Sequence, residues 1–204
     1  MLTANKNNER IFALKGERAT CPGCGAPVIA KCGEINIWHW AHASRDECDW
    51  YKGETMWHLE WKSKFPASDV EVIVGEHRAD VLHEGHVFEF QSKALSPEEM
   101  KEREMFWRRK GYKFSWIFNL TDNENFYLGK CMTHTLHPTP KYGFRWKWGW
   151  RSLKGMRDFY LDLGNGEMFK VNGIEFRKRC FGNGILIDKK VFLKTYIKQE
   201  KPKI

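Results

Sequence analysis

His77-Arg78-Ala79-Asp80-Val81-Leu82-His83-Glu84-Gly85-His86-Val87-Phe88-Glu89-Phe90-Gln91 reads as two strands joined by a two-residue turn at Glu84-Gly85. Pairing outward from that turn sets His83 against His86, Val81 against Phe88, Asp80 against Glu89 and Arg78 against Gln91. Directly opposed residues share a sheet face, with Cβ atoms about 4.5–5.5 Å apart. Two carboxylates so placed repel one another unless a cation lies between them, and a divalent metal is the usual cation.

The preceding segment, residues 70–74, is β-rich, and Gly75-Glu76 supplies a second two-residue turn. In that register Glu71 stands opposite Asp80, so Glu71, Asp80 and Glu89 line up across three adjacent strands. The other face carries Val70, Val72, Val74, Ala79, Val81, Phe88 and Phe90, the expected core. A one-residue slip would turn that apolar set to solvent, which specifies the register. The alternative is a half-exposed meander with ordinary surface charges.

Around this meander, a helix is expected over residues 53–64, stopped by Pro66. Glu54, His58 and Lys62 recur every four residues, forming one helical stripe beside an apolar stripe of Trp57 and Trp61. On a catalytic reading Glu54 contacts metal or its water, His58 moves a proton or touches phosphate, and Lys62 stabilises charge. The plain reading is a solvated Glu–His–Lys ladder. A second helix follows the meander, with Ser96 as N-cap, Pro97 at the first position, Glu99 completing a capping box and Gly111 as the stop. A strand over residues 112–120 then returns beside the Glu89 strand as a parallel crossover. Residues 1–18 read as a lead-in with one strand over 10–14. Beyond Thr121 the pattern is loops and short strands, with turns at Gly164-Asn165-Gly166 and Gly182-Asn183-Gly184.

Cys21-Pro22-Gly23-Cys24 is a metal knuckle, and His39-Trp40-Ala41-His42 follows after fourteen intervening residues. Cys21, Cys24, His39 and His42 make a Cys₂His₂ set for structural zinc, in a ribbon-like clip, with Cys32 and Cys48 as further candidate ligands. The other reading is a set of buried free thiols.

The net charge is +8, concentrated near the C-terminus. Residues 141–204 hold 16 Lys and Arg against 6 Asp and Glu, whereas residues 1–140 hold 18 against 20. Tyr142, Phe144, Trp146, Trp148 and Trp150 alternate there with Arg145, Lys147 and Arg151. Two readings stand: a nucleic-acid strand with cations for phosphates and rings for bases, or a twisted edge strand whose rings fill a core. No segment reaches a transmembrane length and no secretory leader is visible, so a cytoplasmic protein without membrane contact is expected.

These motifs together resemble the competence protein CoiA-like family, whose core resembles the PD-(D/E)XK nuclease superfamily. The resemblance rests on Cys21-x2-Cys24, His39-Trp40-Ala41-His42, Glu54-x3-His58-x3-Lys62, Glu71, Arg78-Ala79-Asp80-Val81, Glu89-Phe90-Gln91-Ser92, Ser96-x6-Arg103 and Trp116-Ile117, over residues 20–120. It implies an α+β fold: a nuclease-like mixed sheet flanked by helices, a zinc-ribbon-like N-terminal module and a small β-rich C-terminal region. The corresponding domains are 1–50, 51–120 and 121–204. It further implies a Mg²⁺- or Mn²⁺-dependent deoxyribonuclease acting on single-stranded or branched DNA in processing, recombination or uptake, with recombination proteins as further partners. Asp80 and Glu89 would hold the metal with the Phe90 carbonyl, and Glu71 extends the acid set. Gln91 stands where most of the superfamily has lysine; as a catalytic residue it can orient water but carries no charge, and Arg78, Lys62 or Lys93 could supply the cation. Arg78, Lys93, Arg145, Lys147 and Arg151 are the expected nucleic-acid contacts. The alternatives are a non-catalytic nucleic-acid-binding module on this fold, and a phage or defence nuclease acting on RNA.

Overall fold

The computed structural model describes residues 1–44, 48, 54–121, 124–130, 142–146, 153, 159–176 and 180–197. The chain is a mixed α+β protein that divides into two compact units, Met1–Glu84 and Gly85–Ile204. No helix among the described residues is long and apolar enough to cross a membrane.

The first unit begins with β1 (Thr3–Lys6) and β2 (Glu9–Phe12), joined at Asn7-Asn8. Both asparagines have positive φ, 51° and 65°, the turn geometry that asparagine tolerates better than most residues. The lead-in expected to hold one strand is thus a hairpin. It continues through β3 (Arg18–Thr20), β4 (Pro27–Lys31) and β5 (His39–His42) into an antiparallel sheet of order β2-β1-β3-β4-β5. Alternation gives the sheet two unlike faces. Ala4, Ile11, Ala19, Val28, Ala30 and Trp40 pack into a core with Cys21 and Cys48, while Asn5, Arg18, Ile29, Lys31 and His39 point the other way.

Helix α1 (Met56–Lys62) is shorter than the expected 53–64, because Thr55 has extended backbone and caps it. After Pro66 and a 3-10 turn at Ala67–Asp69, β6 (Val70–Val74) and β7 (His77–His83) form a hairpin. The expected register holds in four pairs: Val70 with Val81, Val72 with Ala79, Ile73 with Arg78 and Val74 with His77. Glu71, between two of these pairs, has φ 56°, a left-handed conformation that costs a non-glycine residue about 1–3 kcal/mol.

In the second unit β8 (His86–Gln91), α2 (Pro97–Arg109) and β9 (Lys113–Asn119) form the expected parallel crossover, pairing from His86–Lys113 to Gln91–Phe118. The Ser96 hydroxyl accepts the Glu99 N–H at 3.1 Å as expected, but the Glu99 carboxylate takes Arg103 at 2.8 Å instead of turning back to complete the expected capping box. Gly111 ends the helix region at φ 85°. Strand β9 is buried on both faces, and its Trp116 and Phe118 rings stack 5.9 Å apart.

Strands β10 (Phe126–Lys130), β11 (Tyr142–Trp146), β12 (Phe159–Asp162), β13 (Glu167–Phe176) and β14 (Cys180–Asp188) extend the sheet in the order β10-β11-β14-β13-β12-β9-β8. Strand β12 joins β9 in parallel through Tyr160–Ile117. Gly164-Asn165-Gly166 is a turn, as expected, with φ 92° and 84° at its glycines. Gly182-Asn183-Gly184 is not: it lies inside β14. These glycines make room for rings, since a Cβ on Gly182 would overlap Phe144, and one on Gly184 would meet Phe169 and the Lys170 carbonyl. Helix α3 (Lys189–Tyr196), also unexpected, starts at Asp188, whose carboxylate accepts the Lys190 N–H. Its Phe192 packs against Phe88 and Tyr160.

Gly182→Ala should therefore destabilise the second unit by more than the roughly 1–3 kcal/mol of ordinary overpacking, because backbone as well as a ring must move. Denaturant unfolding of the variant beside Gly166→Ala, whose site is open but has positive φ, checks this. A Gly182→Ala midpoint equal to wild type would contradict it.

Candidate active site and metal centre

The Cys21–Cys24 knuckle is built by a tight turn in which Cys21 N–H donates to the Ala26 carbonyl at 2.8 Å and Gly25 N–H to the Cys21 carbonyl at 2.9 Å. Cys21, Cys24, His42 and Cys48 converge, with their ligand atoms all within 4.8 Å of one another. Cys21 Sγ lies 3.8 Å from Cys48 Sγ, and Cys24 Sγ lies 3.3 Å from His42 Nε2. A disulfide would need about 2.0 Å, whereas two sulfurs on a zinc tetrahedron with bonds near 2.3 Å stand about 3.8 Å apart. Burial pushes the Cys21 thiol up to about 11, while the Ala26 N–H, then His42, draws Cys24 down to about 7. A divalent ion supplies the charge that buried Cys21 lacks, so this donor set fits zinc.

His39, expected as a ligand, is not part of the cluster. It and His42 lie three residues apart on one strand, and strand alternation sends them to opposite faces. His39 instead donates Nδ1–H to the Ile37 carbonyl at 2.9 Å. Cys48 takes the fourth position. The signal that could have found it is the same alternation, which forbids both histidines from meeting one ion.

The second cluster centres on Lys62, the last residue of α1, which has no solvent exposure. Its ammonium is paired with Glu54, lies 3.0 Å from Glu71 Oε1 and 3.7 Å from Asp80 Oδ1. Glu71 is equally buried, and its Oε2 accepts the Thr3 hydroxyl at 3.1 Å. Arg10 donates to the Glu71 backbone carbonyl at 3.2 Å and to the Thr3 hydroxyl at 3.4 Å. Burial alone would lower the Lys62 pKa, but Glu71, Asp80 and Glu54 together outweigh it and raise it. Burial raises Glu54 despite Lys62. Asp80 keeps one-fifth of its side-chain surface in solvent. Sequence spacing thus brought Glu54, Lys62, Glu71 and Asp80 together, although Glu54 precedes the helix rather than riding on it. Thr3 and Arg10 were missed: they reach Glu71 across more than sixty residues, and no local pattern announces that.

His58 has a local task. The Thr55 N–H donates to its Nδ1 at 3.3 Å, so it closes the start of α1, packed edge-on against Trp57. In the second unit Glu89 is buried on β8, with Arg103 Nη1 3.5 Å from its Oε2. The Gln91 amide donates to the Lys93 carbonyl at 2.7 Å. Among the expected nucleic-acid contacts, Arg78 is half-buried on β7, Lys93 is exposed, and exposed Arg145 covers the Tyr127 ring at 4.9 Å. Lys147, Trp148, Trp150 and Arg151 lie outside the described residues. Phe144 and Trp146 are buried in the second unit's core, so these two rings fill a core rather than stack on bases.

The fold and these clusters define a nuclease-like α+β protein with a Cys₃His module compatible with zinc. Residues 3–51 match the family model described as Competence protein CoiA, N-terminal domain, and residues 67–145 match Competence protein CoiA, nuclease-like domain. The chain belongs to the CoiA-like competence protein family. The nuclease-like match continues to 145, beyond the residues 20–120 over which the motifs carried the resemblance. No curated protein and no solved structure matches the chain.

Purified protein should hold about one zinc per chain, retained in His39→Ala and lost in Cys48→Ser, by metal analysis. Retention in Cys48→Ser together with loss in His39→Ala would reverse the assignment of the fourth ligand.

Proposed function

We propose that the chain is a metal-dependent nuclease that hydrolyses DNA phosphodiester bonds, on single-stranded or branched substrates. The observation that supports this most is the buried Lys62 ammonium set against Glu71 and Asp80, two acids of the nuclease-like match. Pairs of charges this deeply buried add little to stability relative to apolar packing. Their placement beside a partly exposed aspartate suits chemistry better than scaffolding.

Asp80 and Glu89, with the Phe90 carbonyl, are the proposed Mg²⁺ or Mn²⁺ ligands, since hard divalent cations take carboxylate and carbonyl oxygens. Such an ion, when bound, acidifies water and offsets charge on the phosphate in the transition state. Glu71 has a different part: one of its oxygens faces Lys62 and the other faces Thr3, so it anchors the lysine. Lys62, held charged by its carboxylates, cannot accept a proton at working pH. It supplies fixed positive charge beside Asp80, the charge that Gln91 lacks. Gln91 cannot stand in for it, because an amide carries no charge and its Nε2 donates to Lys93. The zinc module is structural: three cysteines and one histidine leave no open position for water.

Asp80→Ala should lower Mg²⁺-supported cleavage of single-stranded DNA by about 10²-fold or more, the scale of losing one transition-state-stabilising group, while DNA binding persists. Cleavage at the wild-type rate by this variant, purified in parallel with a nuclease-free control, would sink the mechanism. Binding without cleavage by wild type, with Mg²⁺ or Mn²⁺, would assign the chain to the binding modules instead.

A further inference from the structure

The outward face of the five-stranded sheet has an unusual composition. Arg18 and Thr20 come from β3, Ile29 and Lys31 from β4, and His39 from β5, and the cross-strand pairs Arg18–Ile29 and Lys31–His39 place them on one surface. None of these side chains is a carboxylate. Arg18, Thr20 and Lys31 are exposed. The loop joining β4 to β5 adds two bare apolar groups, Ile35 at 95% exposure and Trp38 at 45%, and one exposed carboxylate, Glu34. Trp38 is not loose: its Nε1–H donates to the Gly33 carbonyl at 3.2 Å, which holds the indole against its own loop with a ring face in solvent.

The same face runs back to the acid cluster. Asn5 pairs with both Thr20 and Arg10, so Asn5, Arg10 and the buried Thr3 lie on the same sheet face as Arg18 and Lys31. Thr3 and Arg10 are the residues that hold Glu71. Met1, which leads into β1, exchanges backbone hydrogen bonds with Trp40 of β5 at 3.2 Å and 2.9 Å, so β5 as well as β3 adjoins the start of β1. Through Thr3 and Arg10 the face meets the cluster of Lys62, Glu71 and Asp80, and it carries two cations, an imidazole and an exposed indole.

We propose that this face is a docking surface for a single nucleic-acid strand, with phosphates on Arg18 and Lys31 and a base on Trp38, and that it leads the strand toward Asp80. The proposal rests on the nuclease reading for its direction but not for its binding chemistry. Charge complementarity selects the partner: two exposed cations on strands whose residues on this face include no carboxylate outweigh the single loop carboxylate Glu34 and suit a polyanion, and an adjacent exposed ring suits an unpaired base. A duplex hides its base faces and gives Trp38 nothing to stack on. His39 joins this surface because the alternation that excludes it from the zinc cluster turns it outward beside Lys31.

The test uses the full chain carrying Asp80→Ala, so that substrate stays intact, with fluorescence anisotropy of labelled oligo-dT, oligo-U and a duplex over a salt series. Arg18→Ser with Lys31→Ser should flatten the log–log salt slope for the single strands by about 1.4, since each phosphate contact contributes about 0.7. Trp38→Ala should weaken single-strand binding by about fivefold or more and leave duplex binding unchanged. Zinc content and far-UV circular dichroism equal to the parent's verify the fold. Unchanged slope and affinity in both variants, with the parent binding oligo-dT, overturns the docking surface and leaves the nuclease reading standing. Duplex binding as tight as single-strand binding, equally sensitive to Trp38→Ala, overturns the single-strand assignment. A parent that binds no nucleic acid overturns both readings. Comparison of oligo-dT with oligo-U identifies the sugar preferred, and either preference supports the surface.

Discussion

Lys62 carries a full positive charge where no water reaches it, and three carboxylates from different parts of the first unit answer that charge. Most of the unit's long-range organisation follows from this. Glu54 comes from just before α1, Glu71 and Asp80 from adjacent strands of the hairpin, and Glu71 in turn engages Thr3 and Arg10 at the start of the chain. Removing one partner from such a buried set leaves uncompensated charge and typically costs about 3–5 kcal/mol. The arrangement also explains the left-handed backbone at Glu71. A regular strand would present its carboxylate at the lattice position opposite Asp80, whereas φ 56° redirects it within an otherwise regular register. Strain of this kind is tolerated where surrounding bonds over-determine it, and here Lys62, Thr3 and Arg10 all hold one residue.

Strand alternation is the second organising constraint, and it accounts for two findings together. It separates His39 from His42, so the metal cluster recruits Cys48, six residues beyond His42. It also delivers His39 to the cationic outer face, beside Lys31. One residue lost from a metal site thus becomes part of a different surface.

Much was legible wherever the chemistry was local. The two-residue turn at Gly75-Glu76, the register of β6 with β7, and the Ser96-Pro97 start of α2 all depend on neighbours within a few residues, and all stand as read. The acid–lysine grouping was legible through its spacing, although Thr55 starts α1 too late to hold Glu54 on the helix. What escaped the sequence depends on distant partners. Gly182 and Gly184 look like turn residues until Phe144 and Phe169 lie across them. Tyr142, Phe144 and Trp146 alternate with polar neighbours whether the rings face a base or a core, and only the sheet's neighbours decide that Phe144 and Trp146 are core. Helix α3 had a readable cap in Asp188, but its apolar face is short and gains meaning only against Phe88 and Tyr160.

The central claim is that Lys62 is a permanently charged cation fixed among carboxylates. Heteronuclear NMR of the Lys62 ammonium across a pH titration of the folded protein tests it directly. A raised folded pKa means that the charge persists through the range near 10.4 where free lysine titrates, while the stability it brings is full below that range and is lost progressively as pH rises above it. The account predicts that the Lys62 signal stays that of –NH₃⁺ after the exposed lysines have begun to titrate. Deprotonation of Lys62 before them, with the fold intact, would contradict it.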